Sequence, residues 1–147
     1  REAGYRGFVA SQDEYSLVER SIEAELLPVI RAEKLALIPF FPLAAGLLTG
    51  KYSQGQRPEG SRFGAWTALG DRYLTERNLT LADQYEAFAR ARGHTLLELA
   101  FAWLLAQDSV PSVIAGATSA AQIEANAAAG NWQLSAADLA AFAALPA

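Results

Sequence analysis

The stretch Leu35-Ala36-Leu37-Ile38-Pro39-Phe40, running on as Phe41-Pro42-Leu43-Ala44-Ala45-Gly46-Leu47-Leu48-Thr49-Gly50-Lys51-Tyr52, decides how the chain is read. Its first six residues are apolar on both faces, as in a strand buried within a parallel sheet, and the proline stands near the end, where a ladder donor is dispensable. The continuation is irregular. From residue 41 to about residue 73 come Gly46, Gly50, Gly55, Gly60, Gly64 and Gly70, with Pro42 and Pro58. A loop of that length in a compact domain is usually functional or disordered; this one is expected to be functional, with a mobile middle over residues 53–62.

Working outward, Gly7-Phe8-Val9-Ala10-Ser11-Gln12 reads as a short strand before this stretch, and Val110-Pro111-Ser112-Val113-Ile114-Ala115 as a strand after it. Between them the apolar residues take helical period. Residues 22–33 place Ile22, Leu26, Val29 and Ile30 on one face, with Pro28 interrupting, and residues 79–92 form a helix that Gly93 is placed to end. Thr95-Leu96-Leu97-Glu98 has the form of a capping box, opening a helix whose Leu99, Phe101, Trp103 and Leu104 belong in a core. Ser119-Ala120-Ala121-Gln122 repeats that form, and Ser135-Ala136-Ala137-Asp138 opens a short C-terminal helix in the same way. Strands alternating with helices argue for parallel β/α units. A closed β/α barrel takes about 250 residues, so the expected fold is α/β, the later part of a (β/α)8 TIM barrel with about three parallel strands and their helices. Residues 1–147 form one domain in this reading, with no second domain.

The composition narrows the function. Of 147 residues, 52% are hydrophobic and 19% charged, ample material for a packed core. A net charge of -4 gives no positive field for nucleic acid or anionic lipid. There is no cysteine, which excludes disulfides and thiolate metal sites. No apolar run approaches the roughly 20 residues needed to span a bilayer, and Arg1-Glu2-Ala3-Gly4 lacks a signal peptide's apolar core. A cytoplasmic protein without nucleic-acid or membrane partners is expected, cut from something longer. Neither GxGxxG nor GxxxxGK[ST] is present, so neither a Rossmann site nor a P-loop is supported. His94, the single histidine, sits in a turn before a helix with no nucleophile motif or metal-ligand spacing around it. The acid pairs Asp13-Glu14 and Glu23-Glu25 read as solvated faces, and Trp66, Trp103 and Trp132 as packing residues, with Trp66 placed to border a substrate pocket.

Several stretches resemble the aldo-keto reductase family, in the branch that includes potassium-channel β subunits and bacterial reductases. Ala10-Ser11-Gln12-Asp13-Glu14-Tyr15-Ser16-Leu17-Val18-Glu19-Arg20 resembles the sixth barrel strand and its loop; Phe40 to Tyr52 resembles the seventh strand and cofactor loop; Ile114-Ala115-Gly116-Ala117-Thr118-Ser119-Ala120-Ala121-Gln122-Ile123-Glu124-Ala125-Asn126 resembles the eighth strand and following helix. The resemblance thus implies the C-terminal half of the barrel and an NADP (NADPH) site. Gln12 would bond the nicotinamide carboxamide, and Phe40 would stack on its ring, with Phe41 beside it. Leu43, Ala44 and Gly46 would offer backbone amides to the pyrophosphate, with Lys51 near its charge. Gly116 lies in the segment that leads into the adenosine end, where Thr118 and Ser119 would take the 2′-phosphate and Gln122 and Asn126 the adenine. Many relatives place an arginine or lysine on this phosphate; here the segment supplies hydroxyls, and Arg62 in the loop would supply the charge.

Taken singly, these residues have ordinary readings: a solvated amide at Gln12, core aromatics at Phe40 and Phe41, a surface charge at Lys51, and a helix cap worth about 1 kcal/mol at Ser119 and Gln122. By the resemblance, the family's catalytic Asp, Tyr, Lys and His come from the first half of its barrel, so no catalytic residue is assigned to this chain. The intact enzyme would reduce an aldehyde or ketone, its small-molecule carbonyl substrate, by hydride transfer. The isolated chain is expected to bind cofactor weakly or not at all and to turn nothing over. The rival expectation is a non-catalytic half-barrel, for cofactor binding or assembly, that pairs with a missing N-terminal half-barrel or with a second copy.

Overall fold

Four helices of this chain open on a side-chain cap, at Thr75, Thr95, Ser119 and Ser135. The structure, a computed structural model, describes residues 4, 7–52 and 66–146. In chain order it holds β1 (Ala10–Ser11), α1 (Leu26–Ala32), β2 (Ala36–Leu37), α2 (Thr67–Tyr73), α3 (Glu76–Arg90), α4 (Leu96–Leu105), α5 (Ala120–Ala129) and α6 (Ala136–Ala143), with 3-10 segments at Ser21–Glu23 and Ala44–Thr49. Arg62 and the expected mobile middle of the loop lie outside the described residues.

β1 and β2 pair in parallel, Ala10 opposite Ala36 and Ser11 opposite Leu37. The ladder runs on beyond them: the amides of Ala36, Ile38 and Phe40 donate to the carbonyls of Val9, Ser11 and Asp13 at 2.9–3.0 Å. On the other side of β2, the Leu37 amide donates to Ser109 at 2.6 Å, the Ile114 amide donates to Pro39 at 2.8 Å, and Phe40 bridges Ile114 in parallel. Three extended segments therefore lie side by side in sequence order. The third is reduced from the expected strand 110–115 to one bridge. Pro39 and Pro111 have no N–H to donate, so the rungs around them are missing. The expected first strand is shortened as well, and Phe8 and Val9 stand 88% and 80% exposed ahead of it.

The helices supply the core. In α3 the Thr75 side chain accepts from the Asn78 amide at 3.2 Å, and Leu81, Ala82, Tyr85, Phe88 and Ala89 are buried, one face at helical spacing. The helix starts earlier than the expected residue 79 because Thr75 caps it. In α4 Leu99, Phe101, Trp103 and Leu104 are all buried, and the Thr95–Glu98 capping box is complete. Burying a leucine or phenylalanine stabilises the fold by about 1.5–3 kcal/mol, and Leu99, Trp103 and Leu104 pack with Tyr15, Leu17, Ile30 and Leu37 in one cluster.

Two further expectations do not hold. The helix read over residues 22–33 is a 3-10 turn followed by α1; Pro28 falls in the first turn of α1, where its missing N–H costs nothing. The restart shifts the register, so Leu27 and Ile30 are buried while Val29 is exposed. The loop read from residue 41 to residue 73 contains the Ala44–Thr49 segment and α2. Among the described residues, no helix is long and apolar enough to cross a membrane.

Candidate functional site

The parallel arrangement delivers the C-terminal ends of all three extended segments to one end of the sheet. Gln12, Phe40 and the segment from Ile114 into α5 therefore share that end, the end at which β/α sheets carry their ligand sites. Gln12 is exposed and lies between Ser11 and Asp13, whose carbonyls hold β2. Phe40 is half-buried and meets Phe41 edge-on, with ring centroids 5.5 Å apart.

The chain then turns sharply. Phe41, Ala44 and Ala45 have φ of 52°, 47° and 56°, and Gly46 has φ 113°. A left-handed non-glycine residue costs about 1–2 kcal/mol, a strain offset by burial of Pro42, Ala44, Ala45, Leu47 and Leu48. At Gly46 a side chain would press on the Tyr52 ring, 3.3 Å from an added Cβ. The amides of Ala44 and Gly46 donate within the turn, each at 2.8 Å, to Phe41 and Leu43. A pyrophosphate would have to share those two donors. Lys51 is exposed, with its ammonium 5.2 Å from the Tyr52 ring centroid.

At the other flank Ser119 caps α5, its Oγ accepting from the Gln122 amide at 3.3 Å. The capping box expected there is half made. Gln122 Oε1 accepts from the Thr118 amide at 2.8 Å and lies 3.1 Å from the Thr118 hydroxyl, one residue before the cap. Thr118, Ser119 and Gln122 are exposed, Asn126 is half-buried, and an added Cβ at Gly116 would meet nothing within 4 Å. A ten-residue helix with an exposed N-terminus suits an anion, which would have to displace Gln122 from Thr118.

Of the acid pairs read as solvated faces, Glu25 is exposed, whereas Asp13, Glu14 and Glu23 are held by neighbouring side chains. Glu14 accepts from the Tyr73 hydroxyl, and Arg72 Nη2 lies 2.6 Å from its other oxygen; Asp13 accepts from the Ser11 hydroxyl. Burial first, then the bond to Glu14, raises the Tyr73 phenol above its usual range and keeps it a donor. Glu23 accepts from the Tyr15 hydroxyl and from Arg20 Nε, both at 2.7 Å. Burial opposes its ionisation, but the bonds from Arg20 and Tyr15 prevail and lower its pKa. Sequence reading missed the Glu14–Arg72–Tyr73 group because Arg72 and Tyr73 lie 58 and 59 residues from Glu14. His94 stacks on Trp132 at 3.9 Å and lies 3.2 Å from Glu98, a helix-end arrangement. Trp66 is 68% exposed and lines a shallow hollow with Thr67, Ala68 and Leu69. Among the described residues, no group of three or more His, Asp and Glu side chains is placed to hold a metal ion.

Comparison with known proteins fits this geometry. Residues 1–146 match the model of the Aldo/keto reductase family. Over 123 residues the chain is 38% identical to a probable voltage-gated potassium channel subunit beta of Oryza sativa subsp. japonica, covering 82% of this chain and 38% of that protein. It is 38% identical over 120 residues to the L-glyceraldehyde 3-phosphate reductase of Escherichia coli (strain K12), covering 78% and 34%. It is 33% identical over 127 residues to the NADH-specific methylglyoxal reductase of the same organism, covering 86% and 38%. Among solved structures, the glycerol dehydrogenase AKR11B4 from Gluconobacter oxydans superposes with a TM-score of 0.71 at 26% identity, over 90% of this chain and 40% of that one. The chain thus spans well under half the length of these relatives.

Proposed function

Because the chain belongs to the aldo/keto reductase family, we propose that it is the cofactor-holding C-terminal half, barrel strands six to eight, of an NADP-dependent reductase acting on an aldehyde or ketone. The observation that supports this reading is the shared end of the three parallel segments, to which Gln12, Phe40 and the segment leading from Ile114 into α5 all belong. The half-exposed Phe40 ring, braced by Phe41, offers a flat apolar face to a nicotinamide. The exposed Gln12 amide offers a donor and an acceptor to a carboxamide. Thr118 and Ser119 supply hydroxyls to a 2′-phosphate at a helix N-terminus, Arg62 is the cation proposed for it, and Gln122 must release Thr118 to reach an adenine. When bound, NADPH supplies the hydride. The acid that protonates the carbonyl oxygen belongs to the family's other half-barrel, so the 147 residues alone turn nothing over.

The test is an amide NMR titration of the chain with NADP+ at millimolar concentration, with NAD+ alongside because one relative is named NADH-specific. Shifts confined to Gln12, Phe40, residues 43–51 and residues 116–126, larger for NADP+ at Thr118 and Ser119, are expected. Shifts elsewhere, or carbonyl-dependent NADPH oxidation abolished by mutating this chain's own residues, would overturn the reading. The exposed Phe8 and Val9 beside β1 favour a second reading, a non-catalytic half-barrel completed by an N-terminal half or a second copy. Light scattering on the same sample distinguishes it, since a stable homodimer supports pairing with a second copy.

A further inference from the structure

The end of β1 carries a junction that the proposed cofactor contacts do not use. The Phe40 amide donates to Asp13 at 3.0 Å, and the Tyr15 amide donates to the Phe40 carbonyl at 3.4 Å, so the residues on either side of Glu14 grip Phe40. The Glu14 side chain, 17% exposed, reaches α2. One of its oxygens takes Arg72 Nη2 at 2.6 Å and the other takes the Tyr73 hydroxyl. Arg72 also lies 3.8 Å from Glu19 and over the Tyr73 ring, 4.9 Å from its centroid. Asn78 Nδ2 donates to the Tyr73 carbonyl at 3.0 Å and fixes the same end of α2 from the α3 side. Of the seven residues of α2, Gly70 and Tyr73 are buried, and Leu69 packs against the core. A shielded carboxylate holding two adjacent donors is stronger than an open surface pair, which makes Glu14 a polar tether between α2 and the strand end.

We infer that Glu14 is a positioning residue for the cofactor face: it fastens α2 to the strand end that carries Gln12 and Phe40, so that the seating of α2 and the pose of Phe40 are coupled. This inference rests on the proposed cofactor site. Glu14→Gln keeps the shape and removes the charge; Tyr73→Phe, the milder change, removes one donor.

Two measurements decide it. In hydrogen exchange without cofactor, either variant speeds exchange of the amides from Leu69 to Leu74 and shifts the Phe40 and Gln12 resonances, while the amides of α4 keep their protection. In the NADP+ titration, each variant weakens binding roughly three- to tenfold, and the double variant is no weaker than Glu14→Gln alone. Asp138→Asn, which cuts a different tether, leaves the affinity unchanged. Unchanged exchange in α2, or a wild-type affinity in Glu14→Gln, overturns the inference. A parent chain with no NADP+ shifts overturns the cofactor reading, and the positioning role with it, even where the exchange result shows the tether to be real.

Discussion

Helices α4 and α5 open on the same chemistry and serve different ends. Thr95 and Ser119 each accept the amide three residues on, at 3.2 and 3.3 Å. In α4, Glu98 returns to the Thr95 amide at 2.8 Å and closes the box; in α5, Gln122 turns instead to Thr118. Behind the caps, α4 buries seven of its ten residues, whereas α5 buries only Ala129. A helix packed along its whole length uses its cap for stability. A helix held mainly near its far end leaves its N-terminus exposed, where Gln122 turns to the Thr118 amide and hydroxyl. The capping motif therefore marks where each helix begins, and burial decides what that beginning is for.

The strongest way to break this comparison is to cut side chains behind the caps. Leu99→Ala, in the closed core of α4, should destabilise the chain by about 2–5 kcal/mol in denaturant unfolding. Ile123→Ala on α5, where the side chain is 61% exposed, should change stability by no more than about 0.5 kcal/mol. A large cost at Ile123 would mean that α5 is covered after all. The caps come next. Thr95→Ala should cost about 1 kcal/mol and leave NADP+ shifts unaltered, whereas Ser119→Ala should weaken NADP+ more than NAD+, read in the same titration. Equal loss for both ligands would assign Ser119 to helix capping alone.

The smallest effect is expected at the head of α6, where Ser135 and Arg92 hold Asp138. The Ser135 hydroxyl bond first, then the Arg92 bond at 2.7 Å, lowers the Asp138 carboxyl to about 2. A carboxyl depressed in the folded state contributes stability above its ordinary pKa and loses it as pH falls through the folded value. The stability difference between the parent and Asp138→Asn should thus be constant above about pH 4 and shrink as pH falls towards 2. Urea midpoints across that range measure it, and a gap that persists at pH 2 would assign Asp138 a role other than its charge.

How much of the molecule is legible in the sequence depends on how far each signal reaches along the chain. The helix read over residues 79–92, which buries Leu81, Tyr85 and Phe88, and the box at Thr95 rest on signals complete within a turn or two, and both are present. Strand length is not local. β1 and β2 need neighbours on both sides to extend, and Pro39 and Pro111 remove rungs that the apolar run alone suggests. Val29 falls on the wrong face in the sequence reading because a period drawn through Ile22 ignores the restart that Pro28 permits. α2 turns only Leu69 and Tyr73 to the core and carries Gly70, and its bond to Glu14 spans 58 residues, so neither the helix nor its partner is legible locally. At the candidate site, residue types and order are legible in the motif. The inward donation of the Ala44 and Gly46 amides is not, because alanine does not advertise a left-handed backbone as glycine does.

That left-handed turn from Phe41 to Gly46 has a consequence for recognition. Its shape is set by buried alanines and leucines and closed by the Thr49 hydroxyl on the Gly46 carbonyl at 2.6 Å. A molecule lying against it meets a surface already in its final form. Little conformational freedom is lost on contact, so the free energy of that contact is not offset by ordering the protein. Selectivity for a ligand at this flank would then come from fit to that shape.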